Sequence, residues 1–83
     1  MVFTRTDKKS HEVTTLTFGE AVDQLIIDNL HYANEEDGLT VEEALSDMST
    51  VFDSQSILRS LDIGETTDAG DDVIYTRIWT YTR

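Results

Sequence analysis

A capping box at Thr17-Phe18-Gly19-Glu20, followed by apolar residues every third or fourth position as far as Ala33, constrains this chain more than any other feature. In such a box the threonine hydroxyl and the glutamate carboxylate each satisfy a backbone N–H that a first helical turn leaves free. Leu16 and Ala21 stand where a hydrophobic staple sits. Phe18, Ala21, Val22, Leu25, Ile26, Leu30 and Ala33 recur at helical spacing, with Glu20, Gln24, Asp28, His31 and Glu35 opposite. The pattern predicts a helix from about Phe18 to Asn34, stopped by Asp37-Gly38.

Thr40-Val41-Glu42-Glu43 is a second capping box, with Leu39 and Ala44 as its staple. Val41, Ala44, Leu45, Met48, Val51 and Phe52 give a stripe that predicts a second helix to about Val51. Asp53 or Ser54 can then cap a short third helix carrying Ile57, Leu58 and Leu61, ended near Gly64. Ser56–Ile63 also alternates as a strand would, so both readings stand for that stretch.

The ends read as extended chain. Val2–Thr6 and Val13–Leu16 are rich in β-branched residues around the polar stretch Asp7–Glu12. A loose hairpin satisfies this pattern, and so does one strand after a frayed N-terminus. Gly64–Asp72 reads as a loop. Val73–Thr82 is the clearest strand, with Val73, Tyr75, Trp79 and Tyr81 on one face and Ile74 and Ile78 on the other. A strand needs a partner. The candidates are the N-terminal segment, Ser56–Ile63, or a second copy.

The expected fold class is therefore α+β, with two to three short helices packed on a small antiparallel sheet formed by N- and C-terminal strands. Eighty-three residues, 39% of them hydrophobic, allow one domain over residues 1–83 and one modest core. With no cysteine, neither a disulfide nor a thiolate metal site adds to a core of this size. A homodimer is one way to bury more apolar surface.

The formal net charge is −11, and it is unevenly placed. Between Ser10 and Asp72, sixteen acidic residues stand against Arg59 alone, which leaves that segment near −15. The ends, with Arg5, Lys8, Lys9, Arg77 and Arg83, are each about +2. Such a field repels nucleic acid and anionic lipid and favours cationic surfaces. No apolar run is long enough to span a membrane. The N-terminus has no apolar segment of the kind a signal peptide uses, so a cytoplasmic setting is expected.

No motif for catalysis is found. Placing Gly38 at the glycine position of an EF-hand puts Ala33 and Ala44 at anchors that require acids. Asp68, Asp71 and Asp72 read as solvated loop acids rather than as a metal site. His11 and His31 sit on polar surfaces, and the four glycines are isolated. No metal, cofactor or catalytic residue is expected. Tyr75, Trp79 and Tyr81 read as core covering the helices, with a dimer or partner contact as the alternative.

The order helix, helix, helix, strand resembles the layout of a winged-helix domain. Thr40–Leu61 would be its helix-turn-helix and Gly64–Asp72 its wing tip. That family meets phosphates with Lys and Arg, whereas here only Arg59 is basic and the tip reads GETTDAGDD. Direct nucleic-acid binding is not expected.

The chain is similar in size and charge to phage-encoded inhibitors of the anti-restriction and anti-CRISPR type, and to inhibitors of DNA-repair enzymes. That similarity implies a non-enzymatic protein that mimics nucleic acid and blocks a basic, nucleic-acid-binding protein. The carriers would be Glu20, Asp23, Asp28, Glu35, Glu36, Asp37, Glu42, Glu43 and Asp47. The alternative is a salt-adapted, small regulatory or structural protein whose acidity serves solubility. Two lysines, more Asp than Glu and twelve threonines suit that reading.

Overall fold

The computed structural model describes residues 1–33, 40–70 and 72–79. The chain runs β1 (Val2–Asp7), β2 (Val13–Thr17), α1 (Phe18–Ala33), α2 (Val41–Ser46), α3 (Met48–Arg59), β3 (Thr66–Ala69) and β4 (Val73–Ile78). All strand pairings are antiparallel, in the order β2-β1-β4-β3. Two hairpins, one from each end of the chain, are thus joined through β1 and β4 at the middle of the sheet. The three helices come from the segment between them; α1 packs on one sheet face, and α2 and α3 pack against α1 and each other.

Strand alternation decides which residues meet the helices. Phe3, Arg5 and Asp7 of β1 lie opposite Arg77, Tyr75 and Val73 of β4 on the inner face. Phe3 and Tyr75 are fully buried, together with Leu25, Ile26 and Leu58 from the helices. Ala21, Val22, Ala44, Leu61, Ala69 and Val73 complete the core. The outer face takes Val2, Thr4 and Thr6 opposite Ile78, Thr76 and Ile74.

Both capping boxes form. Thr17 N–H donates to Glu20 Oε1 at 2.9 Å, and Glu20 N–H returns to Thr17 Oγ1 at 3.3 Å. Thr40 and Glu43 exchange the same pair at 2.9 and 3.1 Å. Helix α1 begins at Phe18 as expected. The expected stop at Asp37-Gly38, the staple residue Leu39 and the helix end at Asn34 lie outside the described residues.

The second helix does not run to Val51. It ends at Ser46, because Asp47 leaves the helical region (φ −78°, ψ 112°) and its carboxylate accepts from Ser49 N–H at 3.1 Å. Asp47 thereby closes α2 and caps α3, which starts five or more residues ahead of the expected Asp53 or Ser54 cap. The third element is a helix through Arg59, not the strand that Ser56–Ile63 also allowed.

Gly64–Asp72 is not wholly loop either. Its threonines build β3, which pairs with β4 from Thr66↔Thr76 to Ala69↔Val73 and buries Ala69. Gly64 (φ 90°) and Gly70 (φ 63°) take the left-handed conformations needed at the two ends of this strand.

Candidate functional site

The acidic surface rises from the helices. Asp23 on α1, Glu42 on α2 and Asp53 on α3 are exposed and form no ion pair with another described residue. Glu20, Glu43 and Asp47 are exposed as well, with their carboxylates occupied in helix caps. Acids in a first helical turn also meet the positive end of the helix dipole. Glu35, Glu36 and Asp37 lie outside the described residues.

Every described lysine and arginine side chain is already engaged. Lys8 pairs with Asp68 at 3.9 Å and Lys9 with Asp72 at 3.3 Å. Arg77 donates to the Leu61 carbonyl at 2.8 Å, and the Arg59 guanidinium stacks 5.1 Å from the centre of the Phe18 ring. Arg5 is paired with Asp28. The cations therefore tie the fold together, while the helices present carboxylates to solvent.

Asp28 stands apart from the other expected carriers. It leaves the polar face of α1 and turns to the sheet, where four donors converge on it. Arg5 Nε and Tyr75 Oη donate to Oδ2 at 2.8 and 2.5 Å. Arg5 Nη2 and Gln24 Nε2 donate to Oδ1 at 3.0 and 3.1 Å. Burial pushes the Asp28 carboxyl upward, yet the bonds from Arg5, Tyr75 and Gln24 outweigh it and hold its pKa below the usual carboxylate range. Burial, together with the bond to Asp28, raises the Tyr75 phenol well above its ordinary value.

This cluster was hidden from periodicity, which places Asp28 with Glu20 and Gln24. The usable signal lay in β1: alternation sets Arg5 on the same face as Phe3, and an arginine on a core-facing position calls for an acid. Arg77 carries the same signal in β4, between Tyr75 and Trp79.

The aromatic residues separate. Tyr75 is core, as expected, but Trp79 is 61% exposed. The last described pairing between β1 and β4 is Val2↔Ile78, and Trp79 follows it, past the end of that ladder. Tyr81 lies outside the described residues.

A groove of about 250 Å³ between the helices is lined by Ile26, Leu30, Ala44 and Ile57, with Asn29 and Asp53 among its polar residues. Among the described residues, no three His, Asp or Glu side chains are grouped to hold a metal ion. No described helix is long and apolar enough to cross a membrane. Comparison with protein-family models, with curated proteins and with solved structures returns no match.

Proposed function

We propose that this is a small non-enzymatic binding protein whose acidic helical surface engages a basic, nucleic-acid-binding protein in place of nucleic acid. One observation carries the reading: the described arginines and lysines are engaged by the fold, while Asp23, Glu42 and Asp53 stay exposed without an ion pair to another described residue. A field of that sign speeds association with a basic groove and weakens as salt rises.

The test is capture of a partner from a cytoplasmic extract, followed by competition. The recovered protein should bind duplex DNA or RNA and release it on addition of this chain. Asp23→Lys, Glu42→Lys and Asp53→Lys together remove none of the caps and should abolish the competition. Competition undiminished in the triple variant would overturn the acidic-surface mechanism.

The spread of acids over α1, α2, α3 and the β3–β4 hairpin favours a second reading, in which acidity is a salt-adapted coat. There the α2–α3 pair and the hairpin after it would serve a winged-helix-like regulatory or structural protein. Melting temperature against KCl separates the two. A large rise toward molar KCl belongs to the coat, and a flat profile excludes it.

A further inference from the structure

Two of the β2 residues aim their backbone groups away from the sheet. Asp7 N–H donates to the Glu12 carbonyl, and an antiparallel ladder repeats its bonded pairs every second residue. With the register Phe3↔Leu16 and Arg5↔Thr14, the residues bonded to β1 are therefore Thr14 and Leu16. Thr17 agrees, since its N–H goes to Glu20 Oε1. That leaves the N–H and C=O of Val13 and Thr15 on the open edge.

Edges of this kind are normally blunted by charge, proline, a bulge or shortness. The opposite edge, β3, has four residues and carries Asp68. The β2 edge reads VTTLT, with neither a charge nor a proline, and Val13 is 62% exposed. In a chain of net charge −11, this uncharged strip is where a like-charged molecule can approach most closely.

We propose that β2 pairs with β2 of a second copy, antiparallel about Thr14, to give one continuous eight-stranded sheet. In that register Val13 of each copy faces Thr15 of the other. Both outward donors and both outward acceptors are then satisfied on each side, and the Thr17–Glu20 box is undisturbed. The charges at the strand ends also match. Antiparallel pairing brings the turn carrying Lys8 and Lys9 of one copy alongside the Glu20 end of α1 of the other. The Lys9 side chain is 77% exposed, and its surface pair with Asp72 at 3.3 Å is of the kind that exchanges one carboxylate for another at little cost. The contact is narrow, which places it among concentration-dependent associations.

The inference is independent of the acidic-surface reading. Sedimentation equilibrium in KCl from about 0.15 to about 1 M, at protein concentrations up to about 1 mM, should show monomer and dimer. Amide exchange identifies the surface. Thr14 and Leu16 should be protected at every concentration, while Val13 and Thr15 should slow about tenfold as dimer forms.

Thr15→Pro removes only an outward donor and should leave a folded monomer with unchanged circular dichroism. Thr15→Lys should weaken the dimer by charging the same edge. A chain that stays monomeric throughout, a dimer in which Val13 and Thr15 exchange as in the monomer, or a Thr15→Pro protein that dimerises normally would each overturn the proposal.

Discussion

Arg5 grips Asp28 through two parallel N–H donors, Nε to Oδ2 at 2.8 Å and Nη2 to Oδ1 at 3.0 Å. The pair ties the central strand β1 to the middle of α1, and Tyr75 adds the neighbouring strand β4. A planar fork on a planar carboxylate fixes orientation as well as distance. It therefore sets how the longest helix lies on the sheet.

Removing one partner should cost more than the pair contributes, because the other is left partly buried and unmatched. Asp28→Ala should lose about 3 kcal/mol of stability, with Arg5→Ala close behind. A double-mutant cycle in urea should return a coupling of about 1–2 kcal/mol. Additive losses would show that the two side chains act separately.

The same cluster gives a two-sided pH dependence. The folded-state pKa of Asp28 lies below the unfolded value of about 3.9, so its contribution is complete above that value. It is lost as pH falls through the folded pKa. The Tyr75 phenol is raised above about 10, so its contribution is complete below that value and lost as pH climbs beyond it. Asp28→Asn should flatten the acid limb of a stability profile, and Tyr75→Phe the alkaline limb.

Asp47 is the hinge between two helices, closing α2 and capping α3. Asp47→Ala should cost about 1 kcal/mol and lower helical ellipticity, whereas Asp47→Ser should retain most of the stability. Equal losses in the two variants would assign the effect to charge rather than to capping.

Tyr75 and Trp79 share a strand face by alternation but not an environment. Trp79→Ala should cost less stability than Tyr75→Ala, because Trp79 is 61% exposed whereas Tyr75 is fully buried. Tyr75→Phe removes a single hydroxyl and should cost about 1–2 kcal/mol through the loss at Asp28. Trp79, as the sole tryptophan, should show the red-shifted emission of a water-exposed indole in the folded chain. Blue-shifted emission would place the ring in a covered site.

Local signals were readable wherever a short stretch contained its own solution. Thr17 and Glu20 satisfy each other within one turn, as do Thr40 and Glu43, so the starts of α1 and α2 could be named from spacing. Asp47 was equally local, but the stripe from Val41 to Phe52 runs through it and masked the break. The β3 strand was missed for the opposite reason. Thr66–Ala69 has loop composition, and only the ladder offered by β4 makes it a strand. Among the expected acidic carriers, exposure at Asp23 and Glu42 follows from helical spacing, whereas the turn of Asp28 toward Arg5 does not.

The sequence by itself determined the α+β class, the starts of α1 and α2, and the segregation of acid to the central segment. These depend on residues a few positions apart, or on composition. Only the tertiary structure decided that β1 and β4 form the middle of the sheet, that Asp28 belongs to Arg5 and Tyr75, and that Trp79 lies outside the core. The reason is chain separation: Tyr75 and Asp28 are 47 residues apart. No local period records a contact between residues so distant, which forms only when closing the chain brings strand, helix and strand together.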